Sequence, residues 1–214
     1  MADTDQDIAS NIAAVRKLLW LVAGVAALLG AILFLGLEKN GVEKQAPATA
    51  ALPFGGTFEL TRSDGSVLTD KSLAGRPYAI FFGFTRCPDV CPTTLARLAL
   101  LRKKLGADGD KFDIVFVSVD PERDRPQDIG AYAEMFGTPI IAATGTDAQL
   151  AQIRKGFGVY MKKVPLDPAQ PDGDYTIDHT AGIFLMDAKG RLSSIIDHHE
   201  AEETALDKLR MLVG

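Results

Sequence analysis

The chain has 214 residues, of which 47% are hydrophobic, and its formal net charge is −5 at neutral pH. This length accommodates one ordinary domain and an additional segment, and the hydrophobic fraction is sufficient for a buried core. The acidic balance argues against a nucleic-acid partner, because that kind of binding requires an excess of lysine and arginine. The two cysteines are too few for a disulfide-rich scaffold.

The first recognisable segment is an uncharged apolar run at residues 18–37. As a helix it would extend over about 30 Å, which matches the hydrocarbon core of a bilayer. We therefore expect a single transmembrane helix, with residues 1–17 as a cytoplasmic tail and residues 38–52 as a linker. A buried core helix and a cleaved signal peptide are the alternatives, although the run is long for a signal peptide. The short tail favours an inner (cytoplasmic) membrane location with the soluble domain, residues 53–214, on the periplasmic side.

Strands and helices alternate along the rest of the chain. A turn at residues 63–65 separates two short runs rich in β-forming residues, at 54–60 and 66–69, which predicts a hairpin. The continuous apolar runs Tyr78–Phe84 and Phe112–Val119 are typical of strands that are buried on both faces. Apolar residues at helical spacing predict further elements. These are helices at 92–105, 125–136, 147–156 and 202–213, and a second hairpin formed by strands 183–186 and 192–196.

This order of elements predicts the fold class. Strands that alternate with helices form parallel pairs through right-handed crossovers, whereas the last two strands pair as a hairpin, so we expect a mixed sheet. A hairpin followed by βαβα and then by ββα is the order of an α/β, thioredoxin-like fold with an N-terminal β-hairpin extension.

The two cysteines, Cys87 and Cys91, lie where a predicted buried strand passes into a predicted helix. Unpaired backbone N–H groups at a helix N-terminus stabilise a thiolate and lower its pKa, and Arg86 adds a nearby cation. The spacing can place both sulfurs on one side of a helical turn, where they could form a disulfide or face a metal. Two buried structural cysteines are the alternative, but Pro88 and Asp89 between them are more typical of an exposed loop.

Three motifs resemble those of a known family. Residues 84–95 (FTRCPDVCPTTL) are similar to the cysteine motif of the Sco family, also called SenC. Residues 118–124 (SVDPERD) and 174–180 (DYTIDHT) resemble the second and third motifs of that family, in the same order. Sco proteins are membrane-tethered copper proteins that help to assemble the binuclear copper centre of cytochrome c oxidase, and the resemblance extends over residues 53–214.

The resemblance implies a copper site formed by Cys87, Cys91 and His179. The chemistry of the donors agrees, because two thiolates and an imidazole form a soft set that suits Cu(I) and accepts Cu(II). Zinc also accepts two cysteines and one histidine with a fourth position open. The residues alone leave the choice between copper and zinc open, and the resemblance favours copper.

Other polar residues near the motifs are weaker candidates. Asp178 could orient the imidazole or its loop, or could be an ordinary turn carboxylate. Asp120 could cap the turn that follows its strand or act beside the site. The DHHE run at residues 197–200 reads as a solvated surface segment, because adjacent histidines on a strand point to opposite faces. A methionine copper track is not expected, since the candidate residues are scattered: Met135, Met161 and Met186.

The resemblance implies a copper chaperone that delivers copper to, or prepares, the binuclear copper site of cytochrome c oxidase. Its partners would be the copper-bearing oxidase subunit and other copper carriers. The alternative is a thiol–disulfide oxidoreductase in which Cys87 attacks and Cys91 resolves, with a spacing one residue longer than the thioredoxin C-x-x-C. A peroxidase is disfavoured, because the threonine that peroxiredoxins carry three residues before the reactive cysteine is replaced by Pro88 or Phe84.

Overall fold

The structure is a computed structural model of the 214-residue chain, and it describes residues 20, 21, 24, 25, 28, 29 and 54–214. By internal contacts the chain divides into two compact units, Met1–Ala51 and Leu52–Gly214. In the described part of the chain, no helix combines the length and the apolar character needed to cross a membrane. Most of the predicted span at 18–37, together with the predicted tail and linker, lies outside the described residues.

A seven-stranded sheet forms the centre of the second unit, and two further strands pair only with each other. The strands are β1 (Glu59–Arg62), β2 (Val67–Thr69), β3 (Tyr78–Gly83), β4 (Asp113–Ser118), β5 (Ile141–Thr144), β6 (Met161–Pro165), β7 (Tyr175–His179), β8 (Ile183–Met186) and β9 (Leu192–Ile196). The main sheet has the order β2-β1-β5-β4-β3-β8-β9, and β6 and β7 form the separate antiparallel pair.

Five helices and one 3₁₀ segment connect the strands. They are α1 (Asp70–Leu73), α2 (Val90–Lys104), the 3₁₀ segment (Gly106–Lys111), α3 (Pro126–Glu134), α4 (Asp147–Phe157) and α5 (Glu202–Val213). Helix α4 shows why the local sequence forms these elements: its N-terminal Thr146 hydroxyl accepts a hydrogen bond from the Gln149 backbone N–H, and Gly158 ends it in the left-handed conformation.

The predicted mixed α/β sheet is confirmed. Strand β3 pairs in parallel with β4 and antiparallel with β8, while β4 pairs in parallel with β5. Every residue of β3 is buried, as expected for a central strand that is covered on both faces. The N-terminal hairpin β1–β2 is also present, and it extends the sheet because β1 pairs antiparallel with β5.

Three strands were not predicted, and each lacks a clear sequence signal. Strand β5 has only four residues, two of which are alanines, and β6 contains two lysines. Strand β7 alternates between polar and apolar residues, and the sequence placed His179 in a loop before the next strand. In the structure His179 is the last residue of β7, so a strand rather than a loop carries the imidazole.

Candidate metal centre

The two cysteines lie at the junction between the central strand and the helix that follows it. Strand β3 ends at Gly83 and α2 begins at Val90, so Cys87 lies in the connecting loop and Cys91 in the first turn of the helix. Cys91 is fully buried, whereas Cys87 is half-buried. A Cβ atom at Gly83 would lie 2.8 Å from the Cys91 sulfur. The glycine therefore leaves the space that the Cys91 side chain occupies.

His179 reaches the same point from the other sheet. Its Nε2 lies 3.6 Å from the Cys91 Sγ, and its Nδ1 lies 2.9 Å from the carbonyl oxygen of Thr180. Because a carbonyl oxygen only accepts, Nδ1 carries a proton and donates to Thr180, so Nε2 is the ring nitrogen that faces the sulfurs. The rings of Phe81 and Phe84 present their edges to the imidazole at centroid distances of 6.0 Å. This enclosure and the Thr180 contact together orient the imidazole.

Among the described residues, Cys87, Cys91 and His179 are the one group of potential metal ligands whose donor atoms converge. The two sulfurs and the imidazole nitrogen lie within 4.8 Å of one another. Metal–sulfur bonds of about 2.3 Å and metal–nitrogen bonds of about 2.0 Å place ligand atoms at this kind of separation. The three residues therefore fit a metal ion that accepts soft sulfur and nitrogen donors.

The two thiols differ in acidity. The pKa of Cys87 is lowered to about 4, chiefly by a hydrogen bond from the Cys91 thiol, against the opposing effect of burial. His179 and the backbone N–H groups of Cys91 and Asp89 lower it further, and the Cys91 N–H lies 3.4 Å from the Cys87 sulfur. These local hydrogen bonds, rather than the Arg86 charge, are the main cause.

The pKa of Cys91 moves in the opposite direction. It is raised, first because the Cys91 thiol donates to Cys87 and then because burial disfavours a second negative charge. At neutral pH the pair therefore consists of one thiolate and one thiol. A metal that binds both sulfurs must displace the Cys91 proton.

A buried carboxylate, Asp124, holds the cysteine loop against β4. Its oxygens accept from the Thr85 backbone N–H at 2.8 Å, the Thr85 hydroxyl at 2.5 Å and the Ser118 hydroxyl at 2.6 Å. Sequence reasoning did not identify Asp124 or Thr85. Thr85 belongs to the first motif and Asp124 to the second. Membership in these motifs was the sequence feature that could have pointed to both residues.

Asp120, the other acidic residue of the second motif, fixes the strand that carries His179. Its buried carboxylate accepts from the Tyr175 hydroxyl at 2.7 Å and from Arg123 Nε at 2.6 Å. Asp120 does not lie among the converging donor atoms. Neither Arg123 nor Tyr175 was identified from the sequence, although both lie in the second and third motifs.

The remaining candidates lie outside this group. Asp178 is exposed on β7, since neighbouring strand residues face opposite ways, and the Thr180 carbonyl rather than Asp178 contacts the imidazole. In the loop after β9, His199 is exposed, and His198 Nδ1 lies 3.1 Å from the Thr94 hydroxyl. Met161 is less remote than the sequence suggested, because it is the cross-strand partner of His179 in the β6–β7 pair.

An open pocket of about 240 Å³ lies over the half-buried cysteine. Its lining comes from two segments, the cysteine loop and the residues around His179. The lining residues are Phe84, Cys87, Pro88, Asp89, Val90, Thr176, Ile177, Asp178, His179 and Ala181. Cys87 and His179 are therefore reachable from one side of the domain, whereas Cys91 is fully buried and does not line the pocket.

A family model described as SCO1/SenC matches residues 46–214. The solved structure of Bradyrhizobium japonicum ScoI with copper bound is 43% identical to this chain, with a TM-score of 0.67, and the likeness covers 74% of this chain and 99% of that one. Yeast Sco1 with copper bound is 32% identical, with a TM-score of 0.67 and coverage of 74% of this chain and 87% of that one. These likenesses confirm the predicted thioredoxin-like α/β domain.

Among curated proteins, the mitochondrial SCO1 homolog 1 of Arabidopsis thaliana is 35% identical over 153 residues, which are 70% of this chain and 44% of that protein. The chain spans about half the length of mitochondrial relatives of this kind. The family model nevertheless matches most of the chain, including all three motifs. The chain therefore belongs to the SCO1/SenC family.

Proposed function

We propose that this chain is a copper-binding assembly factor that holds one copper ion through Cys87, Cys91 and His179. The observation that carries the proposal is the convergence of two sulfurs and one imidazole nitrogen within 4.8 Å of one another. The donors fit Cu(I) and accept Cu(II), and two relatives with the same fold have been crystallised with copper bound. The same donors would accept zinc, so the choice of copper rests on the family.

Each residue has a distinct part in taking up the metal. Cys87 is half-buried and already a thiolate at neutral pH, so it is the first donor that an incoming ion meets. Cys91 must release its proton before its sulfur can bind. His179 turns Nε2 toward the sulfurs because Nδ1 donates to Thr180, so Nε2 is the atom that would bind the metal. Copper is the cargo, and it would leave by exchange of these donors for those of an acceptor.

The family resemblance indicates the acceptor and the location. The acceptor would be the copper-bearing subunit of cytochrome c oxidase, whose binuclear copper site this chain would load or prepare, and other copper carriers would supply the metal. Residues 18–37 would anchor the chain in the inner membrane, with the domain on the periplasmic side. The linker at 38–52 would let the domain reach a membrane-bound partner.

The test is copper retention by the reduced full chain in detergent, loaded with Cu(I) without oxygen. We expect one copper per chain, and a loss of affinity of at least tenfold in His179→Ala, because one of three donors is removed. The matched control is His199→Ala, which removes an exposed imidazole outside the group and should leave retention unchanged. Parallel loading with Zn²⁺ measures the preference between the metals.

Tight binding that His179→Ala does not weaken would rule out the three-donor site. Failure of the wild-type chain to retain copper would favour the second function, a thiol–disulfide oxidoreductase. A disulfide between Cys87 and Cys91 should abolish Cu(I) binding, because the thiolates are the donors.

The unequal acidity of the two cysteines specifically favours this second function. The Cys87 thiolate would attack a client disulfide, forming a mixed disulfide and releasing one client thiolate. Cys91, after losing its proton, would then attack the Cys87 sulfur and release the second client thiolate. The client gains two electrons and the chain is left with a Cys87–Cys91 disulfide. Such a reaction could prepare the cysteines of a client copper site, so the two functions are compatible.

A further inference from the structure

His179 approaches the cysteines from a sheet that shares no hydrogen-bonded ladder with the main one. In the described part of the chain, β6 and β7 pair only with each other, whereas Cys87 and Cys91 follow β3 of the main sheet. Backbone pairing therefore does not set the distance between the imidazole and the sulfurs. The chain links His179 to β8 through residues 180–182, and side-chain contacts between the β6–β7 pair and the rest of the domain set what this short link leaves free.

The strongest polar contacts lie at the opposite end of β7, at Tyr175. The Tyr175 hydroxyl donates to Asp120 Oδ1 at 2.7 Å, and it also lies 3.0 Å from Glu122 Oε2. The guanidinium of Arg123 lies over the Tyr175 ring, 3.6 Å from its centroid, and donates from Nη1 to the Tyr175 carbonyl at 2.7 Å. The ring, the hydroxyl and the backbone of one residue are thus all held.

Two of the groups that hold Tyr175, Asp120 and Arg123, are themselves buried and paired with each other. The side chains of Asp120 and Arg123 are 0% and 11% exposed, and Arg123 Nε donates to Asp120 Oδ2 at 2.6 Å. Charge-assisted hydrogen bonds in a low-dielectric setting are strong and directional. Lys163 of β6 adds an ion pair with Glu122, but this pair is more exposed and contributes less.

Tyr175 and His179 face the same way, because residues two and four apart in a strand share a face. Ile177 between them is buried, and Phe81 and Phe84 contact the imidazole. These apolar contacts attract the β6–β7 pair to the domain but are not directional. The contacts at Tyr175 are directional, so they fix the position of β7 along the domain surface. They thereby also affect the position of the His179 imidazole at the other end of the strand.

We propose that Asp120, Arg123 and Tyr175 form a latch that positions His179 over the cysteine pair. The inference rests on the proposed function, since it assigns regulation to the same site. With the latch closed, the site offers two sulfurs and one nitrogen. When the latch opens, the β6–β7 pair withdraws the imidazole and leaves two sulfurs, from which a metal exchanges more readily to an acceptor. The three latch residues touch no metal and act through His179.

The decisive variant is Tyr175→Phe, which removes the hydroxyl but keeps the ring beneath Arg123. We expect the Cu(I) affinity of the full chain to fall by about tenfold or more, the size of effect known for residues that orient a ligand. Tyr160→Phe is the matched control, because that tyrosine also neighbours the β6–β7 pair and its side chain is 57% exposed. It should leave the affinity unchanged.

A double-mutant cycle separates a latch from a general loss of stability. If Tyr175 acts through His179, then Tyr175→Phe should have no further effect on copper affinity once His179→Ala is present. A reduction of equal size in both backgrounds would overturn the latch. If His179→Ala itself had no effect, the proposed three-donor site would fail instead, so the two failures are distinguishable.

A measurement without metal tests the same idea independently. Hydrogen exchange of the reduced, metal-free chain should become faster in residues 161–165 and 175–179 in Tyr175→Phe and in Arg123→Lys. Lysine keeps the charge of Arg123 but cannot stack or donate in the same fork. Exchange in β3 and β4 should not change. Unchanged exchange in the β6–β7 pair in both variants would also overturn the latch.

Discussion

At the scale of single residues, the two cysteines illustrate how neighbours of the same type acquire different chemistry. Cys91 is buried and its thiol donates a hydrogen bond to Cys87, and this one hydrogen bond lowers the pKa of Cys87 while it raises the pKa of Cys91. Burial opposes ionisation at both positions, but Cys87 is more exposed and also accepts from backbone N–H groups. The result is a nucleophilic, metal-accepting thiolate beside a protected thiol.

This asymmetry predicts an unusual pH dependence of thiol alkylation. Because the folded-state pKa of Cys87 is about 4, its thiolate persists as the pH falls below neutrality and is lost only as the pH passes through about 4. Iodoacetamide should therefore modify Cys87 in the reduced, metal-free chain at pH 5–6, where an ordinary thiol with a pKa of about 8.5 is almost unreactive. Mass spectrometry of the alkylated chain at a series of pH values measures the midpoint.

The matched variant for this experiment is Cys87→Ser, which leaves only the buried Cys91. Its alkylation should be slow at every pH in this range, since burial keeps the reagent from that thiol and disfavours its thiolate even without Cys87. A midpoint near 8.5 for Cys87 in the wild-type chain would show that the hydrogen bond from Cys91 does not dominate.

At the scale of elements, the site depends on one carboxylate that joins a loop to a strand. Asp124 is 1% exposed and accepts three hydrogen bonds, two from Thr85 in the cysteine loop and one from Ser118 at the end of β4. Parallel pairing of β3 with β4 brings Gly83 opposite Ser118, so the loop after β3 and the residues after β4 emerge side by side. The second motif is therefore structural support for the first.

We predict that Asp124→Ala lowers the free energy of unfolding by about 3 kcal/mol, because it leaves buried donors without a partner. Urea denaturation of the wild-type chain and the variant gives the difference. Asp178→Ala is the control, since its carboxylate is exposed on β7, and its effect should stay within about 0.5 kcal/mol. A change of similar size in both variants would mean that the Asp124 contacts add little to stability.

At the scale of the whole molecule, the metal centre is assembled from distant parts of the chain. Cys91 and His179 are 88 residues apart in sequence: Cys91 lies in the first turn of α2, and His179 ends strand β7 of the separate pair. The latch residues come from between them, in the segment after β4 and at the start of β7. In the proposed site the first motif would supply the two sulfurs and the third motif the nitrogen, while the second motif joins the elements that carry them.

The proposed membrane anchor determines where the whole chain is found in the cell, and cell fractionation tests it. The full chain expressed in bacterial cells should remain with the membrane pellet after alkaline carbonate extraction, because residues 18–37 would lie in the bilayer core. A chain that lacks residues 1–52 should move to the soluble fraction. Protease added to spheroplasts should digest the domain if it faces the periplasm. Release of the full chain by carbonate would contradict the anchor, and protection from the protease would contradict the orientation.

Much of the fold and of the candidate site can be predicted from the sequence alone, because strong local patterns indicate them. The buried runs that became β3 and β4, the helical spacing of α2 and the turn before β9 predicted an α/β domain with a mixed sheet. The cysteine spacing predicted either a redox-active or a metal-binding dithiol. The motif resemblance identified His179 as a third donor. Such signals are local, since each depends on periodicity or on residue types within one short segment.

Features that depend on contacts between distant segments could be seen only in the tertiary structure. Strands β6 and β7 are polar and short, so only their pairing with each other reveals them. The unequal acidity of the cysteines arises from a hydrogen bond whose geometry no spacing rule supplies. Tyr175 lies 55 residues from its partner Asp120, and Thr85 lies 39 residues from its partner Asp124; burial of these carboxylates is what makes the contacts strong. The sequence alone determined which atoms could bind a metal, whereas packing of the β6–β7 pair against the junction between β3 and α2 decided that they meet.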